Sequence, residues 1–143
     1  LCAEAGKSQA VEFLLSNNAC VDALDGDNNT PLQLAAKKGW VKVMKTLVDK
    51  GANVCTQNDY GRTPLHQAAE HGSLEAVNLL LEKDKKSVNA TNVLKNTPLH
   101  IATQYNHPEV VEVLLKKGAC IDAVNMAGQT AAYMAVNSQS TKA

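Results

Sequence analysis

One segment recurs four times. It reads TPLQLAAKKG from Thr30, TPLHQAAEHG from Thr63, TPLHIATQYN from Thr97 and TAAYMAVNSQ from Thr130, with starting threonines 33, 34 and 33 residues apart. A fixed period of this length means one supersecondary unit repeated in register, because an isolated unit cannot bury its own apolar face and a stack of them can.

The letters of one copy say what the unit is. A threonine hydroxyl is a good N-cap, proline at the first helical position lacks only an N–H that has no partner there, and glycine tolerates the left-handed conformation that ends a helix. Thr63, Pro64 and Gly72 occupy those places, with Leu65, Ala68 and Ala69 forming one apolar stripe between them. A second helix follows from Ser73, with Leu74, Val77, Leu80 and Leu81 inward and Glu75, Asn78 and Glu82 outward. In the neighbouring copies the inward residues are Val41, Met44, Leu47 and Val48, then Val111, Leu114 and Leu115; an incomplete first copy offers Val11, Leu14 and Leu15. The helix-ending residue is Gly6, Gly39, Gly72 and then Asn106, which best tolerates the same left-handed angles.

Between the second helix and the next threonine lies a connector with turn chemistry. Two residues before each threonine stand Asn28, Gly61, Lys95 and Gly128. Asn and Gly suit a positive-φ turn position, so each connector is expected to form a short hairpin finger. Lys95 predicts a distorted turn in its copy.

Composition agrees with a stack of small helices. Hydrophobic residues make up 45% of 143, yet there are only one Trp, one Phe and three Tyr, so the core is aliphatic and rich in alanine. Lys+Arg and Asp+Glu are 14 each, which leaves no net field to draw the chain to nucleic acid or an anionic membrane. No apolar run approaches the roughly 18 residues of a membrane span. Cys2, Cys20, Cys55 and Cys120 form no CxxC pair and have no histidine at metal-ligand spacing. Free thiols in a reducing compartment are therefore expected, with an intracellular location, cytoplasmic or nuclear.

The motifs Thr63-Pro64-Leu65-His66-Gln67-Ala68 and Thr97-Pro98-Leu99-His100-Ile101-Ala102 resemble the ankyrin repeat, and Thr30-Pro31-Leu32-Gln33-Leu34-Ala35 departs only at the histidine. The resemblance covers essentially the whole chain. It implies an all-α repeat solenoid of stacked helix-turn-helix units with β-hairpin finger loops, in one domain spanning 1–143. The units are a partial one at 1–24, complete ones at 25–57, 58–91 and 92–124, and a partial one at 125–143. Leu1 aligns with Leu34 inside a first helix, so the chain is expected to be a fragment of a longer protein. The last unit has Ala131, Ala132 and Tyr133 in place of Pro, Leu and His, and NSQSTKA after Val136 offers no second helix. The stretch Glu82-Lys83-Asp84-Lys85-Lys86-Ser87 carries one extra residue, read as a solvated turn or, alternatively, a lysine cluster facing a partner.

No catalytic constellation is present: there is no Gly-rich phosphate loop, HExxH or GxSxG. The chain is expected to be no enzyme, with no metal and no cofactor. His66 and His100 stand one repeat apart, about 10 Å for packed helices, too far to act as a pair. The resemblance makes both structural, bonding between turn and neighbour. His71 and His107, near helix ends, are expected to face solvent. Cys2 aligns with Ala35 and reads as a buried thiol.

What remains is surface. In ankyrin repeats partners bind the concave face, built of finger tips and first-helix flanks. Carried over by position, that face comprises Asp27 and Asn29 with Lys37 and Lys38, then Asp59, Tyr60 and Arg62 with Glu70 and His71. It continues through Val93, Leu94 and Asn96 with Gln104 and Tyr105, and ends at Met126 and Gln129. Val93, Leu94, Tyr105 and Met126 have no burial within their own unit to explain them, so either a partner or missing sequence covers them. Trp40, where its equivalents are Lys7, Ser73 and His107, either packs on the next unit or meets a partner. The implied function is a protein-interaction module, a scaffold or adaptor binding another protein or peptide through its concave face as a monomeric array. The alternative is the targeting or regulatory part of a larger enzyme or channel. Reading methyl-lysine needs clustered aromatics, and Tyr60 and Tyr105 belong to different units.

Overall fold

The computed structural model describes residues 9–14, 16, 17, 21, 22 and 24–142, with side chains through Val136. Expectations about Leu1, Cys2, Gly6, Leu15 and Cys20 lie outside the described residues. After helical residues 9–14, seven α-helices follow in pairs: α1 (Pro31–Lys38) and α2 (Val41–Asp49), α3 (Pro64–His71) and α4 (Leu74–Lys83), α5 (Pro98–Gln104) and α6 (Pro108–Lys116), then α7 (Ala131–Lys142) alone. The first helices α1, α3, α5 and α7 pack in succession, and the second helices α2, α4 and α6 form a row behind them. No strand forms among the described residues.

The helices begin as their sequence dictates. Thr30, Thr63 and Thr97 are extended, and each hydroxyl accepts the N–H of the residue three on. The side chain at that third position reaches back to the threonine N–H: Gln33 Oε1 at 2.9 Å, His66 Nδ1 at 3.1 Å and His100 Nδ1 at 3.1 Å. Reciprocal caps of this kind leave two fewer backbone donors without partners.

The same side chains then reach forward into the next unit. Gln33 Nε2 donates to the Arg62 carbonyl at 2.6 Å and to Thr56 at 2.9 Å. His66 Nε2 meets the Asn96 carbonyl at 2.9 Å, and His100 Nε2 meets that of Gln129 at 3.0 Å. A carbonyl can only accept, and Nδ1 accepts from a backbone N–H, so both rings must be neutral with the proton on Nε2. The structural reading of the two histidines holds.

Between the rows lies an aliphatic core of Leu32, Met44, Leu47, Leu65, Leu80, Leu81, Leu99 and Leu114, with alanines where helices approach closely. Trp40 is partly buried against this core, with the Lys38 ammonium 5.6 Å from its ring centroid. That geometry favours the packing reading.

Four expectations need correction. Val43 and Val110 join the buried faces of α2 and α6, whereas Leu115 is 38% exposed. Its equivalent Leu81 is 1% exposed because α6 packs on α4, and among the described residues no second helix follows α6. Leu14, also expected inward, is exposed. The extra residue after α4 does not make a merely solvated turn. Asp84 caps a 3-10 helix, Lys85–Asn89, by accepting the Lys86 N–H, and this turn buries Ser87 and Val88 while the lysines stay outside. His107 is not freely exposed, since its Nε2 bonds the Glu70 carbonyl at 2.9 Å and its ring lies over Gly72. A Cβ on Gly72 would sit 2.5 Å from that ring, so the position needs glycine for space as well as for its φ of 86°.

Among the described residues the stretch after Val136 continues the helix that begins at Ala131. α7 runs on to Lys142 because Gln139 stands where Gly39, Gly72 and Asn106 end the other first helices. Without a residue suited to the left-handed cap, nothing local stops it.

Burial pushes the His66 imidazole down from 6.5 to about 4, outweighing its bond to the Asn96 carbonyl. The folded state thus resists a proton that the unfolded chain accepts, and stability present above pH 6.5 is lost as pH falls toward 4. The full loss amounts to about 3 kcal/mol. His66→Gln, which places at this position the residue that caps α1, should remove that component. Urea titrations of both proteins at pH 7, 5.5 and 4.5 measure it; parallel losses would mean His66 titrates normally.

Candidate functional site: the finger and first-helix face

Each finger is a tight loop closed by one side chain. Asn58 Oδ1 accepts the N–H groups of Tyr60 and Arg62 at 2.9 and 3.0 Å, and the Asn58 N–H donates to the Arg62 carbonyl. Asn92 holds Leu94 and Asn96 in the same way, Asn125 holds Ala127 and Gln129, and Asp25 holds Asp27 and Asn29. The bond from the Asn29 N–H is the main reason the Asp25 carboxyl is held below its ordinary range. Asp and Asn favour such self-bonded turns because their short side chains reach the backbone two residues on.

This device overturns the expectation for Lys95. Its φ is 62°, matching Asn28 at 62° and close to Gly61 at 72° and Gly128 at 76°. The Lys95 N–H donates to the Asn92 carbonyl at 2.9 Å, as the Gly61 N–H does to Asn58. The Asn92 side chain imposes the left-handed conformation on a lysine, so the turn is regular and the lysine carries the strain.

Adjacent fingers are joined by backbone. The Asp59 N–H donates to the Asp27 carbonyl, Val93 to Tyr60, and Met126 to Leu94, at 3.0, 3.0 and 2.9 Å. Cross-finger side chains add Asn28 Nδ2 to Asp59, Asn58 Nδ2 to Asn29 Oδ1, and Asn125 Nδ2 to Asn96 Oδ1. The fingers therefore form one continuous edge.

The sixteen surface residues read from sequence divide in two. Asp27, Lys37, Lys38, Asp59, Tyr60, His71, Val93, Leu94, Gln104, Tyr105 and Met126 are exposed. The others are not free: Asn96 is buried, Asn29, Arg62 and Gln129, like it just before the capping threonines, are half-buried with backbone or side chain engaged between units, and Glu70 is half-buried against Arg62. Nothing in the sequence shows that the carbonyls of Arg62, Asn96 and Gln129 receive Gln33, His66 and His100 of the preceding unit.

Arg62 and Glu70 form an ion pair of 2.8 Å, half-shielded from solvent. The Tyr105 hydroxyl from the next unit joins this pair; burial, then the Glu70 charge, pushes its pKa up. Beside it lies a cleft of about 420 Å³ walled by Tyr60, Val93 and Leu94 and floored by Gln67. A second cleft, of about 550 Å³, lies between α6 and α7, with Val111, Leu115, Ile121 and Ala131 on its walls.

Away from this face, Cys55 donates to Asp84 and accepts from Ser87. Burial and then the Asp84 carboxylate push the Cys55 thiol up, so it stays protonated. Among the described residues no cluster of His, Cys, Asp and Glu could hold a metal ion. No helix there is long and apolar enough to cross a membrane.

The protein-family model described as ankyrin repeats, three copies, matches residues 1–92, well over half of the chain. The chain belongs to the ankyrin repeat family. A single-repeat ankyrin model matches residues 94–126 as well. Comparison with curated proteins gives no significant match. Ankyrin repeats are in general non-catalytic modules of protein–protein interaction, and the helical repeat array here is the ankyrin solenoid.

In the left-handed conformation a non-glycine residue costs about 1 kcal/mol or more, so Lys95→Gly should stabilise the ankyrin array by about that amount. Gly61→Ala should destabilise it by clearly more than Gly128→Ala, because a Cβ at Gly61 would lie 2.9 Å from the Val93 backbone nitrogen, whereas nothing lies within 4 Å at Gly128. Denaturant midpoints of the three variants decide it; equal losses at the two glycines would mean the fingers are not packed edge to edge.

Proposed function

We propose that this ankyrin array binds a partner protein or peptide through its concave finger and first-helix face, as a scaffold or adaptor. The observation that carries the reading is the set of exposed apolar side chains on the finger edge and, with Tyr105, at the end of a first helix. Tyr60 is 57% exposed, Val93 56%, Leu94 55%, Tyr105 46% and Met126 68%. Side chains mounted on backbone-linked fingers lose little freedom on binding, so a few such anchors can dominate an interface. Arg62, Glu70 and Tyr105 supply a fixed polar group in their midst.

Units of 25–57, 58–91 and 92–124 flanked by partial units fit the finger and helix pattern. A reducing, intracellular location is part of the same reading, supported by the protonated Cys55 and the absence of a CxxC pair. Titration of the unfolded, unreduced protein with a thiol reagent should find all four cysteines reactive, and two or fewer would contradict that location.

Leu94→Asp or Tyr105→Ala should weaken binding of a captured partner by at least about 1 kcal/mol while leaving the melting midpoint nearly unchanged. Lys42→Ala and Lys45→Ala, on the exposed side of α2, should change neither. Calorimetric titration beside a thermal melt tests all four. Binding lost through Lys42 or Lys45 and retained without Leu94 or Tyr105 would put the interface on the opposite side.

A further inference from the structure

The floor of the concave cleft contains an unmet hydrogen-bonding group. Gln67, on α3, is 5% exposed, and its Oε1 has no donor. Buried acceptors nearly always have partners, because leaving one dry forfeits its bond to water without replacement. Its counterparts in the repeats before and after are apolar: Leu34 and Ile101. The array thus places an amide on the floor of one cleft, where neighbouring units have aliphatic side chains.

The walls add to the demand for a donor. The Asp27 carboxylate, at the cleft rim, makes no ion pair or side-chain hydrogen bond among the described residues. Glu70 already holds Arg62, which removes that cation from competition, and Lys37 is the remaining basic group, on an exposed stem. The Tyr60 ring supplies an exposed aromatic wall. One buried acceptor without a donor, a solvent-exposed carboxylate and an aromatic ring in a cleft of about 420 Å³ suit a flat group with several N–H donors and a positive charge.

We propose that this cleft is a subsite for an arginine side chain of an extended peptide, with Gln67 Oε1 and the Asp27 carboxylate as acceptors and Tyr60 as the stacking wall. The inference rests on the concave-face reading and names the chemistry of its partner. An acidic or phosphorylated segment would leave Gln67 unsatisfied and meet Asp27 with like charge.

A phage-displayed random dodecapeptide library selected against the whole chain tests this, with affinities measured on synthetic copies of the selected peptides. Selected peptides should share an arginine, and replacing it by citrulline, which keeps the shape and removes the charge, should weaken binding roughly tenfold or more. Gln67→Leu should weaken the same peptides to a similar degree while leaving the denaturant midpoint unchanged or higher, because it deletes an acceptor that had no partner. Leu94→Asp reports on the face as a whole. Peptides sensitive to Leu94→Asp but lacking an arginine, or indifferent to Gln67→Leu, would overturn the subsite and leave the concave-face reading standing. Peptides indifferent to both variants would overturn both, and a library yielding no binder or only acidic ones would overturn the subsite.

Discussion

The register of the array depends on one doubly used side chain in each complete unit. Gln33, His66 and His100 each cap their own helix with one polar atom and hold a carbonyl of the following finger with another. A packed face of leucine and alanine gives affinity between helices but little direction, since dispersion and hydrophobic contact tolerate sliding. A buried hydrogen bond does not tolerate it. These three residues therefore fix where each finger sits relative to the helix before it, and hence the spacing of every side chain on the finger edge. Glutamine does the work of histidine at the first of them because both offer an acceptor and a donor on opposite sides of a flat group.

Much of this was legible in the sequence. The period, the caps at Thr63 and Thr97, the stripes on α3 and α4 and the fingers all follow from local rules about threonine, proline, glycine and apolar spacing. Lys95 was misjudged because the rule for positive φ looks at the residue in the turn, whereas the control lies three residues earlier in Asn92, whose side chain bonds two backbone N–H groups. Leu115 was misjudged for a different reason. Periodicity shows which face of a helix is apolar, but whether that face is covered depends on whether another helix lies against it.

The surface was the least legible part. Exposure of Tyr60, Leu94 and Met126 follows from their place on the fingers. Nothing in the sequence shows that Arg62 is neutralised by Glu70 eight residues on, or that the Tyr105 hydroxyl from the next repeat interacts with the pair. Gln67 was still harder to find, because an x position between two consensus residues carries no expectation. A signal was present in the contrast with Leu34 and Ile101, but only the structure showed that its amide oxygen lacks a donor.

The 3-10 turn at Lys85–Asn89 bears on how such a chain can change length. The inter-finger bond that spans the additional residue, from Val93 to Tyr60 at 3.0 Å, matches the ones before and after it, from Asp59 to Asp27 at 3.0 Å and from Met126 to Leu94 at 2.9 Å. Asp84 and Val88 act as fixed posts, one capping the turn and the other seated in the core, and the lysines between them are free to loop outward. The corner after a second helix is thus a shock absorber for insertions. An epitope, a fluorophore attachment or a second domain grafted at this corner would be carried by the array without shifting the finger edge.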